Sequence, residues 1–157
     1  MRRLSILLAI TFAFLPGGLA VVGTVSASQE SSERRYLNLP EHPNQLPFSD
    51  GVLVGDTLYL SGRLGMTNPQ TGQPAANVEE EVRIILDGMK AVLSQVEMTM
   101  DDLVMVHVFC SDVTLYDRFN AVYRTYFTNS PPARAFLGSG TLLQGANFEV
   151  VGTAVRR

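Results

Sequence analysis

The run from Leu103 to Cys110 (LVMVHVFC) constrains this chain most. Its eight residues are nearly all apolar, and Asp102 and Ser111 bound it. That length suits a strand, and the lack of polar alternation suits one covered on both faces. The neighbouring segments must supply the covering layers. Before it, Val78, Val82, Ile85, Met89, Val92 and Val96 recur at steps of four and three, forming one face of a helix. Asn77 and Glu80 are spaced as an N-cap and its reciprocal partner, and Gly88 weakens this helix slightly. After it, Thr114 with Asp117 opens a second helix with a face of Leu115, Phe119, Val122 and Tyr126, and Ser130-Pro131-Pro132 stops it.

The remaining strands follow from turn signals. Gly55-Asp56 between Val52–Val54 and Thr57–Leu60 reads as a hairpin. Tyr36–Leu39 suits a short strand, Pro40–Pro47 a loop, and the segment from Gly62 to Pro74 is loop-like. Arg134–Leu137 and Phe148–Val155 read as strands joined by a loop containing Gly138, Gly140 and Gly145. The order β-β-α-β-α-β-β gives an α+β sandwich with two helices on one face of the sheet. Leu103, Met105, Phe109 and the last strand offer more apolar positions than two helices cover. The open sheet face is therefore expected to meet another copy of the chain.

Residues 1–27 stand apart. Arg2 and Arg3 precede an apolar stretch from Leu4 to Leu15, Pro16-Gly17-Gly18 interrupts it, and Val25-Ser26-Ala27 places small residues at a cleavage site. This is the pattern of a signal peptide, which predicts export to the periplasm or medium, with an uncleaved N-terminal anchor as the alternative. Ser28–Leu46 reads as a polar leader and loop, and 47–157 as one domain. Removing residues 1–27 takes away two arginines and no acids, leaving 130 residues with net charge −5.

Composition and motifs then exclude several chemistries. The charge and the lack of a basic patch disfavour a nucleic-acid partner. A single cysteine, Cys110, excludes an internal disulfide framework, and two histidines, His42 and His107, disfavour a metal site. There is no phosphate-binding loop, Cys-x-x-Cys, His-Glu-x-x-His or Gly-x-Ser-x-Gly. Ser61 ends a strand, but no histidine lies near it in sequence, so a serine triad is disfavoured. His107 reads as a core or interface histidine, Cys110 as an inert buried thiol, and Glu79-Glu80-Glu81 as a solvated helix start. Two residues stand out. Glu149 is a carboxylate inside the apolar run FEVVGTAV: either a functional acid or an outward-facing edge residue. Arg134 opens another strand, placed either to grip a carboxylate or to form a structural ion pair, for instance with Glu149.

Pro132-Ala-Arg-Ala-Phe-Leu137 followed by Phe148-Glu-Val150 resembles the signature of the RidA/YjgF family of reactive-intermediate deaminases. Pro47-Phe-Ser49, Gly55-Asp-Thr-Leu-Tyr-Leu-Ser-Gly62, Asn68-Pro-Gln-Thr-Gly72, Phe119-Asn-Ala-Val-Tyr123 and Ala154-Val-Arg-Arg157 are similar to further pieces of that family, in the same order. The resemblance implies a chorismate-mutase-like fold and a homotrimer with sites in clefts between subunits. It also implies hydrolysis of enamines or imines, such as 2-aminoacrylate or 2-iminobutanoate, to 2-keto acids and ammonia. No cofactor and no metal are implied. Carried over, Arg134 would hold the substrate carboxylate and Glu149 would orient the attacking water and pass protons. Phe48, Ser61, Gly62, Arg63 and Phe136 would line the pocket. Phe48 stands where members often carry tyrosine, Arg63 where many carry glutamine, and Phe136 where many carry cysteine. These departures imply a lost hydroxyl, a second positive charge near the substrate and an added ring. The alternative is a non-catalytic module of the same fold that binds a small carboxylate or acts as a holdase.

Overall fold

The amphipathic segment after Asn77 forms helix α1, Val78–Ser94, in the computed structural model, which describes residues 33–43 and 46–157. Asn77 caps it by accepting from Glu80 N at 2.9 Å, whereas the Glu80 carboxylate accepts from Ala76 N at 2.8 Å. Val82, Ile85, Met89 and Val92 are all buried, as their spacing predicts. The segments proposed as signal peptide or anchor lie outside the described residues. Those residues belong to one compact unit, Ser31–Arg157, and no helix among them is long and apolar enough to cross a membrane.

Six strands form one sheet: β1 Arg34–Leu37, β2 Gly51–Val54, β3 Thr57–Leu64, β4 Leu103–Cys110, β5 Ala133–Gly138 and β6 Phe148–Val155. Their order is β1-β2-β3-β6-β4-β5; β4 and β5 run parallel and all other neighbours antiparallel. The Gly55-Asp56 hairpin forms as read, with Gly55 at φ 58°. The first strand starts earlier than its sequence suggested: Arg34 pairs with Val54, so part of the polar leader belongs to the sheet. The third strand is also longer, running through Gly62 to Leu64.

The second helix, α2, spans Tyr116–Tyr123 after a short 3-10 turn at Val113–Leu115. Asp112, not Thr114, caps that turn by accepting from Thr114 N at 2.9 Å and from Thr114 Oγ1 at 2.7 Å. These bonds hold the Asp112 carboxyl below its ordinary range. An Asx side chain at the residue immediately before the turn, accepting from the backbone two residues on, competes well with a threonine for this role.

α1 and α2 cover one face of the sheet, burying Val106, Val108 and Cys110 of β4 together with Leu58, Leu60, Phe148 and Val150. The other face of β4 is not covered within one chain: Met105 is exposed, and His107 and Phe109 are half-buried. The expectation of a strand buried on both faces therefore fails for the isolated chain. On the same open face, Tyr59 and Thr153 lie in register beside Met105.

The acidic first turn of α1 is not a solvated helix start. Glu79 receives two 2.7 Å bonds from Arg118, joining α1 to α2. Glu81 is buried and accepts from Asn147 N (2.8 Å), Asn147 Nδ2 (2.6 Å) and Phe148 N (3.0 Å), so it fixes the entrance to β6.

Candidate active site

Side-chain direction along the strands separates the two residues of greatest interest. Arg134 lies in register with Val106, a buried residue facing the helices, so its side chain projects to the helix side. Glu149 lies opposite Phe109 and Leu64 and projects to the open side. Within one chain the sheet stands between them. The alternative of an Arg134–Glu149 ion pair is thereby excluded, and so is a site built from both residues of the same chain.

Arg134 occupies a cleft of about 370 Å³ with Tyr116, Asn120, Tyr123, Phe127 and Pro132 among its walls. Its Nη1 donates to the side-chain oxygen of the buried Asn120 at 2.8 Å. Its guanidinium carbon lies 4.7 Å from the centroid of the Tyr123 ring and 5.7 Å from that of Tyr116, distances of cation–π contact. The Tyr123 hydroxyl is buried without a hydrogen-bond partner, and burial pushes its pKa up to about 12. The guanidinium is thus oriented by one amide and the rings of Tyr116, Phe119, Tyr123 and Phe136, leaving further donors for an anion of carboxylate size.

Phe136 stands behind this cleft, its ring centroid 5.7 Å from the Arg134 guanidinium carbon. Two residues on from Arg134 and in register with Val108, it packs edge-on against Tyr116 and Phe119, with Phe148 beyond. Partly buried, the ring links the core to the Arg134 guanidinium.

Glu149 lies in a second cleft, of about 580 Å³, which brings together Phe48, Ser61, Gly62 and Arg63 as the sequence reading required. The register of β3 on β6 shifts between Leu60 and Arg63, placing a bulge at Ser61-Gly62. This irregularity reverses the phase of the strand. Leu64 then shares the open face with Glu149, while Arg63 turns toward α1. Gly62 has a specific reason to lack a side chain: a Cβ there would sit 2.9 Å from Glu149 Cδ and closer still to Oε1. Ser61 Oγ donates to Ser49 O at 2.6 Å, a positional bond and not the start of a serine triad.

Arg63 corrects a further expectation. It adds no free positive charge, because its guanidinium meets Asp50 Oδ1 at 3.5 Å and Glu41 Oε1 at 3.4 Å. Its side chain crosses α1 at Gly88, where a Cβ would overlap it. The glycine that weakens α1 in isolation is what lets Arg63 pass. Sequence reasoning missed two members of this cleft, His42 and Asp50, whose side chains approach to 3.2 Å. The only available signal was a histidine in the loop preceding Phe48 and an aspartate two residues after it, just ahead of β2. Among the described residues no group of three or more His, Cys, Asp or Glu side chains is placed to hold a metal.

Residues 41–156 match the profile of the family described as Endoribonuclease L-PSP. The chain belongs to that family. This is the RidA/YjgF family whose motifs its sequence carries. A RutC family protein of Saccharolobus solfataricus is 43% identical over 105 residues, 66% of this chain and 82% of the relative. The human protein named 2-iminobutanoate/2-iminopropanoate deaminase is 30% identical over 125 residues, 78% of this chain and 90% of the relative. The crystal structure of Escherichia coli TdcF with bound serine superposes with a TM-score of 0.72 at 25% identity, covering 78% of this chain and 99% of that one. The chorismate-mutase-like α+β fold of the family is the fold described above.

Proposed function

We propose that this chain is an imine deaminase that converts small 2-imino acids, of the 2-iminobutanoate or 2-iminopropanoate type, to 2-keto acids and ammonia. Its sites are completed between copies in a homotrimer. The observation that carries this reading is the placement of Arg134 and Glu149 on opposite faces of one sheet. Neither cleft alone holds both an anchor for a carboxylate and a carboxylate to handle water. β5 is an edge strand, so the Arg134 cleft lies at the margin of the sheet, where a second copy can present its open face and Glu149.

The chemistry asks for little more. A protonated imine carbon is already electrophilic, and the site has to fix the substrate and aim a water. Arg134, steadied by Asn120, holds the substrate carboxylate. Glu149 of the neighbouring copy takes a proton from the attacking water. Relatives named as 2-iminobutanoate/2-iminopropanoate deaminases support the reaction class, and serine bound to TdcF supports a ligand of amino-acid size.

Subunit complementation tests the proposal. Arg134→Ala and Glu149→Gln proteins are each inactive in releasing ammonia and keto acid from 2-iminobutanoate generated in situ. Unfolded together and reassembled in equal amounts, they regain about a quarter of wild-type activity, the share of interfaces with both intact residues in a closed ring. A mixture that stays inactive defeats the shared site. A wild type no faster than buffer that still binds a keto acid replaces the enzyme with a carboxylate-binding module.

We also propose that residues 1–27 act as an export signal. The mass of the secreted protein then begins at Ser28, and an intact chain in the membrane fraction favours the anchor instead.

A further inference from the structure

We propose that His42, held by Asp50, is the acid–base residue that expels ammonia in the Glu149 cleft. This inference rests on the deaminase reading above. The chain has two histidines, and His107 sits half-buried on β4. His42 alone lines a cleft that also holds Glu149.

Its surroundings orient it. The side chain is only 6% exposed, although it belongs to a loop. Nδ1 lies 3.2 Å from Asp50 Oδ2, and the ring stands edge-on to Phe48, with centroids 5.7 Å apart at 85°. Asp50 is fixed in turn: its Oδ2 accepts from Leu39 N at 2.8 Å, and its Oδ1 faces Arg63 Nη1 at 3.5 Å. Nδ1 against a carboxylate carries the hydrogen, so Nε2 is the nitrogen free to exchange a proton. The charged groups sharing this cleft with the imidazole are Glu41, Asp50, Arg63 and Glu149. Arg63 is engaged by Glu41 and Asp50, which leaves Glu149 as the carboxylate for water. Phe48 has no hydroxyl with which to move a proton, and its nearest ring partner is this imidazole.

The proton traffic closes. Water adds to the iminium carbon and gives one proton to Glu149, forming a neutral carbinolamine. His42, as imidazolium, protonates the amine nitrogen. The C–N bond breaks, the nitrogen leaves as ammonia, and the hydroxyl proton returns to His42 as the carbonyl forms. Glu149 gives its proton to ammonia, yielding ammonium and the 2-keto acid with both residues restored. No other reactant is required.

The test uses the assembled full chain and 2-iminobutanoate generated in situ. His42→Gln retains an N–H for Asp50 but no exchangeable imidazole, and His42→Ala removes the ring. Each lowers kcat about 100-fold with KM little changed, the scale of one general acid–base group. Added imidazole restores part of the His42→Ala rate above the enzyme-free control, which a purely structural loss does not allow. Wild-type kcat in His42→Gln, or a His42→Ala rate that imidazole leaves unchanged, overturns the role of His42 alone. A wild type no faster than buffer overturns it together with the deaminase reading.

Discussion

The carboxylate of Glu149 occupies the space that a side chain on Gly62 would need. A Cβ at Gly62 would come within 2.9 Å of Glu149 Cδ. The bulge at Ser61-Gly62 and the acid on β6 are therefore one feature: the strand irregularity clears a seat for the carboxylate. Gly62→Ala is expected to displace Glu149 and cut kcat by about 100-fold, the effect of moving a catalytic group by roughly 1 Å. Steady-state kinetics beside a thermal melt checks this, with activity falling far more than stability.

Arg134 depends on shape as well as charge. Its planar guanidinium sits against an amide and aromatic rings, a setting that an ammonium group does not reproduce. Arg134→Lys is expected to raise KM more than tenfold, and Asn120→Ala to raise it less. A lysine variant with wild-type KM removes the argument from planarity.

Glu81 sits 66 residues from Asn147 in sequence, yet its carboxylate accepts three bonds at the start of β6. Glu81→Ala leaves those donors unpaired in a buried place and is expected to destabilise the fold by about 3 kcal/mol, read by chemical denaturation. Because β6 carries Glu149, activity should fall before the global unfolding transition is reached.

The Glu79–Arg118 pair gives a pH signature. The Arg118 bonds lower the Glu79 pKa from 4.5 to about 2. A depressed folded-state value means that the contribution is fully present above the ordinary carboxylate pKa. It is lost as pH falls through the folded value. The melting-temperature gap between wild type and Glu79→Gln is therefore widest above pH about 5 and closes towards pH 2. A constant gap across that range contradicts the pairing.

Cys110 is buried, its Sγ donates to Asp112 O at 2.9 Å, and burial raises its thiol pKa. An alkylating reagent at neutral pH should label it only after unfolding, as mass spectrometry would record.

The elements that depend on near neighbours were legible in the chain itself. Asn77 with the period of Val82, Ile85 and Met89 specifies α1, and Gly55-Asp56 specifies the hairpin. Capping, turn geometry and amphipathic period act within a few residues. Asp112 belongs to the same local class, since its carboxylate caps the turn through bonds to Thr114 two residues on. The motifs around Arg134, Glu149 and Ser61-Gly62 also sufficed to place the chain in its family. Direction and partnership were decided by the tertiary structure. A bulge of one step turned Arg63 away from the open face and gave it to Asp50 and Glu41. Register sent Arg134 and Glu149 to opposite sides of the sheet and set Phe136 on the side of Arg134, and the fold drew His42 together with Asp50, the residue just before β2. Side-chain alternation has a period of two, so a single irregularity reverses every later assignment. Which residues meet across the sheet is a long-range result that no local pattern carries.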